Sequence, residues 1–213
     1  MELLSSSKAF GGSQRVYRHD SAACACPMTF AIYLPHQIED GPVPLLWYLS
    51  GLTCTHQNVM DKGEYRAAAA ANGIAIICPD TSPRGEAVPD EPVNWQFGSG
   101  AGFYLDATQE PYAKNYRMET YIRDELPELV SRHFPVDMKR QGIFGHSMGG
   151  HGAITMFTPA GMHTHFPFPD LQVSNICFGG ADMRDAFITL ASVGKVIKAR
   201  WPVSGMKLNY GLY

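Results

Sequence analysis

Residues 14–19 and 28–34 alternate apolar and polar positions with a period of two, which predicts two antiparallel strands joined by a polar turn. Leu45-Leu46-Trp47-Tyr48-Leu49 and Ile74-Ala75-Ile76-Ile77-Cys78 are unbroken apolar runs, the pattern of strands buried on both faces. Between them, residues 61–72 are rich in alanine and read as a helix, with Asn72-Gly73 as its C-terminal stop. Strand, helix, strand in that order implies a right-handed parallel crossover. Residues 116–134 carry Tyr121, Ile122, Leu126, Leu129 and Val130 at helical spacing, and Pro127 inside that pattern predicts a kink. A short apolar strand, 141–144, comes next, and the Gly- and Ala-containing stretch from Gly150 to Met156 reads as the start of a helix. Nearer the C-terminus, residues 172–178 suggest a strand at a sheet edge. Phe187, Leu190 and Val193 give 181–199 helical spacing. The whole predicts an α/β fold: a mostly parallel sheet, antiparallel at its N-terminal end, with helices on both faces.

Between residues 80 and 115 the pattern fails. Pro83, Pro89, Pro92 and Pro111 with Gly85, Gly98, Gly100 and Gly102 forbid long regular elements, and a loop of this length in a compact domain is uncommon and often functional. Its Gly98-Ser99-Gly100-Ala101-Gly102 run lacks the Lys-Ser/Thr of a phosphate-binding loop. The 213 residues, 45% hydrophobic and 17% charged, suit a single domain over 1–213 with a sizeable core. A net charge of −3 argues against nucleic acid as a partner. No apolar run approaches the length that spans a bilayer, and Met1-Glu2-Leu3-Leu4-Ser5 does not open a signal peptide. Five cysteines (Cys24, Cys26, Cys54, Cys78, Cys177) form an odd set without a CxxC pair, as expected of free thiols in a reducing cytoplasm.

The chemistry centres on Gly145-His146-Ser147-Met148-Gly149. This G-x-S-x-G stands between an apolar strand and a helix start. In that setting the serine sits on a sharp turn with its hydroxyl lifted above the sheet. The Met148 amide lies at a helix N-terminus, where unpartnered N–H groups favour negative charge, so it is a candidate oxyanion donor. A second donor is expected after the third strand of such a sheet, where Ser50-Gly51-Leu52-Thr53 stands, which makes the Leu52 amide the candidate.

Five stretches resemble the S-formylglutathione hydrolase (esterase D) family: Leu49-Ser50-Gly51-Leu52-Thr53-Cys54-Thr55, Pro79-Asp80-Thr81-Ser82-Pro83-Arg84-Gly85, Gly100-Ala101-Gly102-Phe103-Tyr104, Asp124-Glu125-Leu126-Pro127-Glu128-Leu129, and Gly145 through Gly152. The resemblance covers about residues 1–156. It implies an α/β-hydrolase fold and a cytoplasmic thioesterase of formaldehyde detoxification. Ser147 would be the nucleophile and the Leu52 and Met148 amides the oxyanion hole, with no cofactor or metal. Cys54 would lie near the site, where this family's thiol is associated with inhibitor sensitivity. The substrate would be a glutathione thioester, and a homodimer is admitted. Glutathione is anionic, so Arg84 and Lys62 are candidate contacts.

After Met156 the resemblance stops. The family would supply an acid and then a histidine to complete a triad. Here the histidines beyond Ser147 are His151, His163 and His165, and the acids Asp170, Asp182 and Asp185 all follow them. The order Ser, acid, His cannot be drawn from this chain. His151, one helical turn past Ser147, is expected to be scaffold. His163-Thr164-His165 would make a metal pair only with a third ligand, which the neighbouring sequence does not offer. Two explanations of 157–213 stay open: a disrupted reading frame, or a diverged segment with a rebuilt site.

Overall fold

A strand that the hydrophobic pattern does not mark opens the chain. β1 (Glu2–Ala9) is exposed along almost its whole length, so no alternation betrays it. It pairs antiparallel with β2 (Gly12–Ser21), which pairs with β3 (Cys26–Leu34) from Ser13↔Leu34 to Ser21↔Cys26. The computed structural model describes residues 1–91, 93–156, 173–190, 192–202 and 204. The chain forms two compact units, Met1–Met162 and His163–Tyr213.

In the first unit the two apolar runs become β4 (Val43–Leu49) and β5 (Ala75–Pro79), parallel through Leu45↔Ala75 and Trp47↔Ile77 as the crossover requires. The connecting helix is two helices, α1 (His56–Lys62) and α2 (Arg66–Asn72). Thr55 starts α1 with a reciprocal cap. The Gln57 amide donates to Thr55 Oγ1 (3.1 Å), and the Thr55 amide donates to Asn58 Oδ1 (2.8 Å). Gly73, at φ 63°, ends α2 as expected, its N–H reaching the Ala69 and Ala70 carbonyls.

The helix expected over 116–134 is interrupted in its middle. α3 (Met118–Thr120) runs into a π turn (Tyr121–Glu125) and then α4 (Leu126–His133). The Leu126 N–H reaches back five residues to the Tyr121 carbonyl. Pro127 brings no N–H, and its ring crowds the carbonyl four residues earlier, so the kink takes the form of a wide turn. Its last residue, Glu125, accepts hydrogen bonds from Ser21 Oγ (2.8 Å) and from the Ala22 and Ala23 amides (2.9 and 2.8 Å). The helix is thereby tied to the β2–β3 turn.

β6 (Val136–Gly145) completes a six-stranded sheet in the order β1-β2-β3-β5-β4-β6. Its pairing with β4 is parallel and carries a bulge after Pro44↔Asp137, beyond which Leu45 faces Gln141. Three of the neighbouring pairs are antiparallel and two parallel. The expectation of a mostly parallel sheet is therefore corrected among the described residues. Parallel pairs need crossovers, and only two are complete before the helix that follows β6. Helices do cover both faces. Phe30, Ile32 and Leu34 of β3 pack with Tyr121, Leu126 and Val130 on one side, and Ala31 and Tyr33 join Val59, Ala69 and Ala70 on the other.

The second unit holds an antiparallel meander, β7 (Val173–Gly179), β8 (Asp185–Leu190) and β9 (Lys195–Arg200). β7 falls where an edge strand was expected. The helical reading of 181–199 is corrected: Ala186, Ile188 and Leu190 are buried at period two against Ile197, Ala199 and Trp201, while Phe187 is exposed. His163, His165 and the prolines at 159, 167 and 169 lie outside the described residues.

Candidate active site

Leu49 at the end of β4 lies opposite Gly145 at the end of β6, so the two strands deliver their following loops to the same spot. There the chain reverses through Ser147, whose φ is 54°, into α5 (Met148–Met156). A left-handed backbone at a residue with a Cβ costs about 1–2 kcal/mol and needs surrounding structure to hold it. The hold is visible. The His146 amide donates to the Leu49 carbonyl (3.2 Å), the Gly149 amide to the His146 carbonyl (2.9 Å), and the His151 amide to the Ser147 carbonyl (3.2 Å). A Cβ on Gly149 would come 1.9 Å from the Leu49 oxygen, and one on Gly145 would come 2.4 Å from the Gly149 carbonyl carbon. The two glycines of the motif are what allow β4 and α5 to touch at backbone distance. The Ser147 side chain is exposed and Met148 beside it is buried.

The loop after β4 closes against this turn. A Cβ on Gly51 would sit 3.2 Å from Ser147 Cβ, which puts Leu52 one residue from the nucleophile candidate. The loop is laced from several sides. The buried Tyr104 hydroxyl donates to the Ser50 carbonyl (2.9 Å), and the Thr53 amide donates to the Gly100 carbonyl (3.0 Å). Among the described residues neither the Leu52 nor the Met148 amide donates to a group of the protein. Leu52 and Met148 thus flank Ser147, Leu52 through its neighbour Gly51 and Met148 through the chain itself.

The structure also brings in residues that carry no motif signal of their own. His146 Nδ1 hydrogen-bonds the Tyr48 hydroxyl (2.8 Å) and the rings stack at 19°. His146 Nε2 faces the Gly51 backbone, 2.8 Å from where a Cβ would stand. Only the β4–β6 register reveals this pair: Tyr48 lies opposite Phe144, which puts positions 48 and 146 on one face. Burial pushes the Tyr48 phenol up from its ordinary pKa of 10.

Cys54 is half-buried beside the loop, with its amide on the Gly51 carbonyl (3.2 Å). Lys62 is exposed at the end of α1. Arg84 is engaged within the protein, on Asp80 and on the Cys54 carbonyl. His151 lies in the first turn of α5. Asp182 and Asp185 belong to the second unit and pair with Arg200 and, for Asp185, Lys198. Asp170 lies outside the described residues. Cys24, Cys26, Cys54 and Cys78 are free. Among the described residues no group of three metal-ligating side chains occurs, and no helix is long and apolar enough to cross a membrane.

A sheet covered by helices on both faces, with a left-handed serine at the strand–helix turn, is the architecture of the α/β-hydrolase fold. Residues 21–166 match the Esterase family model, described as "Putative esterase", and the chain belongs to that family. It is 57% identical over 155 residues to the S-formylglutathione hydrolase of Paracoccus denitrificans (strain Pd 1222), covering 73% of this chain and 55% of that one. It is 52% identical over 154 residues to the S-formylglutathione hydrolase of Mus musculus, covering 72% and 55%. The solved S-formylglutathione hydrolase from Agrobacterium tumefaciens superposes with a TM-score of 0.73 at 58% identity, over 73% of this chain and 56% of that one. A ferulic acid esterase at 18% identity and TM-score 0.53 shares the fold. The chain spans about half the length of the curated relatives it matches.

Proposed function

We propose that Ser147 is the nucleophile of a serine thioesterase site for S-formylglutathione, releasing formate and glutathione in formaldehyde detoxification. The observation that carries this reading is the left-handed, exposed Ser147 pressed against the Leu52 loop. Ser147 Oγ attacks the formyl carbon, and the carbonyl oxygen takes the negative charge in front of the Leu52 and Met148 amides. The tetrahedral species collapses with loss of the glutathione thiolate, and water then releases formate from the acylated serine. The names of the relatives support the thioester substrate. The free thiols support a cytoplasmic setting, and a homodimer is compatible with it.

The attacking hydroxyl needs a base, and no acid precedes a histidine after Ser147 in this sequence. Without one, an oxyanion hole and binding alone leave on the order of 10³–10⁴-fold catalysis over water. The 213-residue chain is therefore expected to turn over S-formylglutathione very slowly. The test is direct: hydrolysis of S-formylglutathione and p-nitrophenyl acetate, and labelling by a fluorophosphonate, each compared with Ser147→Ala. Slow labelling confined to Ser147 supports the proposal, and labelling that survives Ser147→Ala overturns it. Fast hydrolysis of the acetate with none of the thioester makes the chain a general carboxylesterase. A second reading, a non-catalytic remnant, is favoured by the Esterase match ending at residue 166 with no acid ahead of a histidine after Ser147. Complete silence toward the fluorophosphonate selects it.

A further inference from the structure

The segment Asp80-Thr81-Ser82-Pro83-Arg84 has no part in the chemistry above, yet it holds the loop that carries the Leu52 amide at two points. Arg84 Nε donates to both oxygens of Asp80 (3.2 and 3.3 Å), while Nη2 of the same guanidinium donates to the Cys54 carbonyl (3.0 Å). Thr81 Oγ1 donates to that carbonyl as well. Asp80 is fixed in turn: its side chain is 8% exposed, its carboxylate accepts the Thr81 amide (2.7 Å), and its own amide donates to the Thr29 carbonyl of β3 (2.9 Å). His56 Nδ1, the first residue of α1, stands 3.9 Å from the second Asp80 oxygen and has no hydrogen bond of its own. The other latch is Ser82 Oγ. It accepts the Gly100 amide (2.7 Å), and the Gly100 carbonyl accepts the Thr53 amide (3.0 Å).

Between the two latches lies Thr53, with φ at 65°. A threonine does not hold that backbone unaided, since its branched Cβ disfavours it, so the loop conformation depends on outside ties. We propose that Arg84 is a positioning residue for the second oxyanion donor: clamped on Asp80, it fixes the Cys54 carbonyl and through it the aim of the Leu52 amide. The planar fork is what the task needs, because one guanidinium faces a carboxylate and a carbonyl at the same time. A lysine ammonium has no second arm at a fixed angle. The proposal rests on the reading of Ser147 and Leu52 given above.

The experiment compares Arg84→Ala, Arg84→Lys and, as a control, Arg132→Ala in the full chain. Amide hydrogen exchange is measured at residues 51–55 and in β2 and β3, together with the rate of Ser147 labelling by a neutral fluorophosphonate. Arg84→Ala is expected to speed exchange at 51–55 by about tenfold or more, the factor for a lost charge-assisted hydrogen bond, with β2 and β3 unchanged. Labelling should slow by roughly 10²-fold, as when an oxyanion donor is displaced, through the inactivation rate rather than the probe's affinity. Arg84→Lys should recover only part of both, and Arg132→Ala, an exposed position of α4, should match the parent chain. Unchanged exchange at 51–55 in Arg84→Ala overturns the proposal, as does a loss confined to probe affinity. Should Arg84→Ala unfold, as rapid exchange in β2 and β3 would reveal, Arg84→Lys decides on the same two readouts. A parent chain that does not label at all overturns the nucleophile assignment, and the exchange result then judges Arg84 independently.

Discussion

A single dihedral angle sets the terms at the residue scale. Ser147 holds φ at 54° to present its hydroxyl, a conformation glycine takes without cost. Ser147→Gly is therefore expected to raise stability by about 1 kcal/mol in urea unfolding, while Ser147→Ala keeps the strain and leaves stability close to the parent's. A destabilised glycine variant would show that the hydroxyl, not the backbone, holds the turn. Gly149→Ala should act the other way. Its methyl would meet the Leu49 oxygen at 1.9 Å, and an overpacked contact of this kind costs typically about 1–3 kcal/mol. The motif, the serine and the Leu52 loop were legible because their chemistry is local. The Tyr48–His146 contact and the Arg84 clamp were not, because each joins positions far apart in sequence through register and loop path. Arg84 drew attention as a surface charge for the substrate, and its structural partners, the Asp80 carboxylate and the Cys54 carbonyl, are marked by no periodicity.

The wide turn before Pro127 governs the element scale. It sets buried Tyr121 against His19, hydroxyl to Nε2 at 3.0 Å, and carries Glu125 to the β2–β3 turn. Burial holds the His19 pKa below its ordinary 6.5, and the nearby Glu125 carboxylate only partly opposes this. Below pH 6.5 the unfolded chain binds a proton at His19 that the folded chain resists. That share of stability is complete above 6.5 and is lost as pH falls toward the folded pKa. Urea midpoints at pH 7.5 and 5.5 should show a smaller acid loss in His19→Gln than in the parent. Leu126→Ala, which empties a fully buried site just past the turn, is expected to cost about 2–5 kcal/mol in the same assay. The sequence pattern located this helix and its irregularity, since proline states its own effect. It could not show β1, whose residues bury nothing, and it misread 181–199. Phe187, Leu190 and Val193, three apart, suit a helix, but Ala186, Ile188 and Leu190, two apart, win because a meander supplies one face to bury them.

At the scale of the whole molecule, β6 has one neighbour, β4, among the described residues. Its other edge is unpaired among the described residues, and β6 carries Phe144, 43% exposed, in an uncharged run from Gln141 to Gly145. Such an edge invites pairing with a second chain. Light scattering is expected to rise with protein concentration in the 213-residue chain, and Phe144→Lys should suppress it. Scattering that is equal in both would place the sticky surface elsewhere. The strand order has a further bearing on how the chain reaches this state. The β1–β2–β3 hairpins can zip up as soon as they leave the ribosome, their partners being close in sequence. β4 must wait for β6, about ninety residues later, before its second edge is filled. Within the first unit the turn at Ser147 is thus expected to close after the β1–β2–β3 hairpins.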